Sequence, residues 1–308
     1  MQMIRFAIAL SRVRLLRVRL LLRSALKVLT LGISKKFSFF PLTPFLNWSR
    51  LPEERPSASC DLALEKSVDV LISLYRFEKY QPVLKKSIES CFHNRKITFH
   101  FVVVSGSNQE IEWIQGIVEN SHHKLHLVTD RIGIYETWNK AIQSGTGEFI
   151  TNLNADDLRL PHSICSQATD LQRRSVDGSY GNFYLSEDIF STLEFPSKRT
   201  LLSSLGNFSK ETLVENSLNF MHCAPMWRRK LHEQLGLFDE SLKSSGDTEF
   251  WLRALSAGAQ FVQYKPATTI YFHNPEGLST SLSSTGRQEW RAIRDKYLRN
   301  ENAVSGNL

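Results

Sequence analysis

Between Met1 and Pro52 the chain has no aspartate or glutamate, although ten lysines and arginines fall there. The formal charge of +7 therefore belongs to this stretch, and the remainder holds 28 basic against 31 acidic residues, a balance of −3. Nucleic-acid binding needs positive charge on the folded surface, so no nucleic-acid partner is expected. Long apolar runs are also missing. Arginines interrupt MQMIRFAIALSRVRLLRVRLLLRSALKVLTLG before any stretch of about 18–20 apolar residues accumulates, which argues against a spanning helix. The four cysteines (Cys60, Cys91, Cys165, Cys223) show no paired spacing that suggests zinc or a disulfide framework, and Cys91 reads as a core thiol. Reducing surroundings and a cytoplasmic location are expected, since no signal-peptide cleavage site is evident. No G-x-G-x-x-G or Walker loop follows a strand, so flavin, nicotinamide and P-loop chemistry lack support.

The basic segment is itself patterned. On a helix, Arg5, Arg12, Arg19, Arg23 and Lys27 share one sector, and Ile4, Ile8, Leu15, Val18, Leu22, Leu26 and Leu29 lie opposite; Arg14 and Arg17 break the pattern. Such a helix can lie in the interface of an anionic membrane. A cleaved arginine-rich transit peptide and a tail disordered in water are the other readings. The expected organisation is a basic amphipathic tail (1–36), a linker (37–67) with Pro41, Pro44, Pro52 and Pro56, a main domain (68–285) and a C-terminal helix and tail (286–308).

From Val68 strands and helices alternate. VDVLISL (68–74), ITFHFVVV (97–104) and LHLV (125–128) read as strands. Tyr80, Leu84, Ile88 and Cys91 or Phe92 recur at helical spacing behind Pro82. A capping box, Ser107-x-x-Glu110, opens the next helix. Ile134, Trp138, Ala141 and Ile142 line a third helix, which closes at Gly145. Successive βα units imply a parallel sheet with helices on both faces, and such sheets bind ligands beyond the carboxyl ends of their strands.

The fourth strand, in GEFITNLNADDLRLP (147–161), ends in two adjacent acids, Asp156 and Asp157. They either decorate a solvated turn or hold a hard divalent cation that takes its remaining ligands from water and substrate phosphates. Later, GDTEFWLRALSAG sets Asp247 on one helix face with Phe250, Trp251 and Ala254. An acid there is costly unless it is paired or used, or caps the helix. Trp138, Trp227 and Trp251 read as core. Residues 186–217 lack strong periodicity and read as an acceptor-facing insertion or flap.

Together, VLISLYRFEKY, VVVSGSNQE, DRIGIYETWNKAIQSGTGEFITNLNADD and GDTEFWLRALSAG resemble the family 2 glycosyltransferases, from roughly Val68 to Ser281. The resemblance implies a Rossmann-like α/β fold of the A type, a mostly parallel sheet flanked by helices, here preceded by the basic amphipathic helix. It implies Mg²⁺ or Mn²⁺, a nucleoside-diphosphate sugar, and a glycan, lipid or protein acceptor. Asp156 would be the main metal ligand, in an Asn154-x-Asp156 form of the family's Asp-x-Asp motif, with Asp157 nearby. Ser73 and Tyr75 would meet the nucleotide, Arg131 the diphosphate, and Asn139 the donor side. The family's base-reading Asp at the second strand end is replaced by Val104 or Ser105. His273 would either complete the metal shell or make a structural hydrogen bond; His222 has no assigned role. Asp247 would be the base of an inverting transfer, with Glu249 as its back-up. The changes at Asn154 and at Val104 or Ser105 keep open an inactive nucleotide-sugar-binding module that serves another enzyme.

Overall fold

The structure is a computed structural model that describes residues 48–51, 64–161, 163–186, 200–204, 208–214, 219, 221, 223–281 and 283–305. The expected amphipathic tail, His222 and most of residues 186–217 lie outside these. Strand β1 (Trp48–Leu51) falls within the stretch expected as linker and joins the sheet edge.

The first half of the sheet follows the sequence pattern. Strand β2 (Val68–Leu74) runs parallel between β3 (Ile97–Val104) and β5 (Phe149–Asn152), and β4 (Lys124–Val128) flanks β3. All of β2 but Ser73 and all of β3 but Thr98 are buried, as expected of strands covered on both faces. The connections are α1 (Gln81–Glu89), with Pro82 in its first turn, α2 (Asn108–Val118) and α3 (Ile134–Ser144), which ends at Gly145. The capping box forms: Glu110 N donates to Ser107 Oγ at 3.2 Å, and Ser107 N donates to the Glu110 carboxylate at 3.0 Å. The buried Glu110 also accepts from the amides of Phe77 (2.6 Å) and Glu78 (3.2 Å), which fixes the loop leaving β2.

Beyond β5 antiparallel strands join the sheet and make it mixed. After β6 (Leu158–Arg159) and α4 (Ser163–Gln172) come β7 (Gly178–Ser186), β8 (Thr200–Ser204), α5 (Lys210–Val214) and β9 (Met226–Arg228). Strand β9 is antiparallel to β5 and β7 antiparallel to β9, so β7 points the same way as β5. The remaining elements are α6 (Lys230–Leu235), α7 (Gly246–Ser256), β10 (Phe261–Phe272) and α8 (Gly286–Ser305). Strand β10 is parallel to β7 and β6 antiparallel to β10, while β8 and β1 extend the sheet antiparallel. The carboxyl ends of β2, β3, β4, β5, β7 and β10 therefore open onto one edge.

Trp138, Trp227 and Trp251 are core residues, with Trp227 and Trp251 packed edge-on at 5.2 Å. Beneath the sheet's opposite edge, the buried Asp69 accepts from Gly147 N (2.7 Å), His100 Nε2 (3.0 Å) and the Arg229 guanidinium. Burial pushes this carboxyl up, but its donors and the Arg229 charge outweigh burial and hold it below the usual range. A Cβ on Gly147 would lie 2.7 Å from Asp69 N, so glycine permits the close approach. Cys91 and Cys223 are free and buried.

Candidate active site

The two acids that follow β5 have different uses. Asp157 is buried, and both its oxygens are occupied: Oδ1 accepts from Phe272 N and Oδ2 from Asn154 Nδ2, each at 2.9 Å. It ties the end of β5 to the end of β10. Burial, then the charge of Asp156, raises its pKa well above the usual carboxylate range. Asp156 is only half-buried. Its Oδ2 accepts from Asn274 Nδ2 at 2.9 Å, and among the described residues no side-chain donor reaches Oδ1. Burial raises this carboxyl, and the Asn274 bond opposes that shift.

These donors suit one kind of metal. Among the described residues no three His, Cys, Asp or Glu side chains gather as a cage. One carboxylate with an open oxygen could hold Mg²⁺ or Mn²⁺, with the remaining ligands coming from water and phosphate oxygens. Asn154, at the first position of the expected motif, is engaged within the protein: its Oδ1 accepts from Asn152 and its amide holds Asp157. His273, half-buried, follows β10 next to Asn274, and its backbone N–H bonds Ser186 O at 2.8 Å.

Asn274 was not singled out from the sequence, yet it joins two sides of the edge. Its Nδ2 lies 2.9 Å from both Tyr80 Oη and Asp156 Oδ2. Tyr80 belongs to the loop anchored by Glu110. At the head of that loop Tyr75 is exposed, and the guanidiniums of Arg131 and Arg76 each lie 5.2 Å from its ring centre. Ser73 is half-buried at the end of β2. Ser105, exposed with φ of 48°, donates from Oγ to Thr129 O at 3.0 Å. Asn139 is buried away from this group: its side chain bonds Phe238 N and O and Glu240, pinning the loop between α6 and α7.

Asp247 sits in the first turn of α7. Its Oδ1 accepts from Tyr135 Oη at 3.0 Å, with Thr248 (3.4 Å) and Asn219 (3.5 Å) as further partners. Tyr135 opens α3 behind the carboxyl end of β4, and Asn219 precedes β9, which enters the sheet from the site edge. Asp247 is thus held on the edge that carries Asp156. Burial raises its carboxyl, while bonds from Thr248 and Tyr135 oppose the shift. The back-up acid, Glu249, pairs with Arg253 at 2.8 Å.

The open α/β sheet with flanking helices has the A-type glycosyltransferase fold, and solved structures of that class share it. S. aureus TarS 1–349 in complex with UDP-GlcNAc superposes with a TM-score of 0.58 at 16% identity, over 74% of this chain and 64% of that one. Mannosyltransferase PcManGT from Pyrobaculum calidifontis, in complex with GDP-Man and Mn²⁺, gives 0.50 at 15% identity over 80% and 67%. The profile of Glycosyl transferase family 2 matches residues 69–236, more than half the sequence, and the chain belongs to that family. An uncharacterised glycosyltransferase of Methanocaldococcus jannaschii is 28% identical over 202 residues, 63% of this chain and 66% of that protein. One from Rickettsia typhi is 23% identical over 244 residues, 75% and 71%. The chain thus spans slightly under two thirds of the archaeal relative and of the TarS fragment.

Proposed function

We propose that this chain is an inverting glycosyltransferase, assisted by a divalent cation, that moves a sugar from a nucleoside diphosphate to an acceptor hydroxyl. The reading rests on Asp156, whose Oδ1 no described side-chain donor reaches, and on Asp247, a half-buried carboxylate that accepts from Tyr135 Oη. The ligands in the solved relatives, UDP-GlcNAc in one and GDP-Man with Mn²⁺ in the other, support the donor class.

Asp156 would hold Mg²⁺ or Mn²⁺, which neutralises charge on the departing diphosphate. Arg131 and Arg76, over Tyr75, would draw the donor's phosphates to the end of β2. Ser73 and Ser105 flank that position. Asp247 would take the acceptor hydroxyl's proton as its oxygen attacks the anomeric carbon opposite the diphosphate, inverting that carbon. A base lifted above the ordinary aspartate range suits this proton transfer better than a fully solvated one. His273 would approach the cation from the end of β10. The acceptor is a glycan, lipid or protein hydroxyl, and the basic tail would rest on an anionic membrane. No described helix is long and apolar enough to cross one.

The test is a thermal-shift screen of nucleoside diphosphates and their sugars with Mn²⁺, followed by donor-hydrolysis assays. Asp156→Ala should abolish the Mn²⁺-dependent shift. Asp247→Asn should keep donor binding and lose turnover. Tight donor binding without hydrolysis or transfer by the unaltered protein would instead mark a silent nucleotide-sugar-binding module.

A further inference from the structure

The loop that leads into α7 carries no cap of its own. Ser245, the N-cap residue, makes no side-chain capping bond, although N-terminal helix amides need acceptors. The loop before the helix is instead held from α8, a helix beyond the family-matched segment. Glu289 Oε1 accepts from Lys243 N at 3.0 Å, and Oε2 accepts from Ser244 N and Ser245 N, both at 2.9 Å. Thr285 Oγ1 orients the carboxylate at 2.7 Å, and Ser245 Oγ donates to Gly286 O at 2.9 Å. One carboxylate therefore gathers three consecutive amides immediately before Gly246 and Asp247.

We infer that Glu289 is a positioning residue for the proposed base: α8 fixes the entry of α7 so that Asp247 stays on Tyr135. This inference rests on the assignment of Asp247 as base. Asp247 leaves the helix two residues after the clamped amides, and its alignment on Tyr135 is set by the path of residues 243–246. Gly246 lies against the Tyr135 ring, so any shift of this entry changes the distance between the phenol and the carboxylate. Charge-assisted bonds from amides to an ionised carboxylate are among the stronger hydrogen bonds a loop can make. Burial pushes the Glu289 carboxyl up, but Thr285 and the three amides win and hold it below the usual glutamate range.

The experiment compares Glu289→Gln with the exposed neighbour Arg291→Ala in the full chain. It uses amide hydrogen exchange and steady-state hydrolysis of the donor found by the screen above. In Glu289→Gln, exchange in residues 243–250 should accelerate at least about tenfold while β2, β3 and β5 keep their protection. In the same variant kcat should fall about tenfold to a hundredfold, as for a small misplacement of a reacting group, with the donor KM unchanged. Arg291→Ala should alter neither. If Glu289→Gln does not fold, Thr285→Val removes the orienting hydroxyl and should give the same pattern at smaller amplitude. Unchanged exchange in 243–250, or equal losses in kcat and in donor affinity, would overturn the inference. Full turnover by Asp247→Asn would remove the base assignment itself, and the role of Glu289 with it. That outcome is read on a different variant and cannot be confused with a failure at Glu289.

Discussion

Replacing Tyr135 by phenylalanine removes one oxygen and leaves the ring, which packs edge-on against Trp138 at 5.6 Å. The lost bond is the 3.0 Å contact to Asp247 Oδ1. A hydrogen bond to a charged group contributes about 1.5–3 kcal/mol. At about 1.4 kcal/mol per pH unit, its full loss from the ionised form would raise the Asp247 pKa by about one to two units. Thr248 and Asn219 remain as longer partners, so the lower end is expected. The sign follows from the role. As the proposed base, Asp247 would work ionised, so turnover would fall as pH drops through its pKa, and burial already raises that value above the ordinary aspartate range. Tyr135→Phe raises it further, so the acid limb of kcat should move to higher pH by about one unit, with a lower plateau from a less directed carboxylate. The assay is donor hydrolysis with Mn²⁺ across the acid and neutral range, with Asp247→Asn as the variant lacking the limb. An acid limb that stays in place, or moves to lower pH, refutes the reasoning.

Gly246→Ala should act on the same pair through sterics. Its Cβ would lie 2.6–2.8 Å from three carbons of the Tyr135 ring, so the ring must move, with a loss of about 1–3 kcal/mol in chemical denaturation and a fall in kcat. Asp69→Asn should cost about 3–5 kcal/mol at neutral pH, because the Arg229 guanidinium loses its only carboxylate partner among the described residues. The folded pKa of Asp69 is depressed, so the stability it contributes is present above its unfolded value and disappears as pH falls through the folded one. The Asn variant should therefore show a shallower loss of stability on acidification in urea titrations.

The parallel half was legible because β2 and β3 are predominantly apolar runs and α2 opens with a capping box. The mixed half was not. Strand β7 (GSYGNFYLS) mixes small and polar residues without alternation, and β10 contains Pro266 between irregular registers at Tyr264, Ala267 and Thr269. At the site, both proposed acids could be picked out by motif order, but not their partners. Tyr135 and Asp247 are 112 residues apart in sequence, and Asn274 and Asp156 are 118 apart. Neither pairing leaves a local pattern. His273 stands out in sequence as a ligand or a structural hydrogen bonder, whereas nothing local marks the adjacent Asn274, which bonds Asp156. Asn139 lay within the most specific matched stretch, yet its side chain serves the loop before α7. Tyr80 and Asn274 are 194 residues apart, which again shows how far the edge is assembled from distant chain segments.

The neighbouring acids after β5 divide two duties between them. Asp157 belongs to the architecture, stitched to β10, whereas Asp156 faces the solvent-accessible edge with one oxygen uncommitted. On the proposed role of Asp156, a lineage could lose the cation at position 156 and still inherit an intact fold. A change at 157 strikes the scaffold first, and retired copies of this enzyme would be recognised by which of the two carboxylates they have discarded.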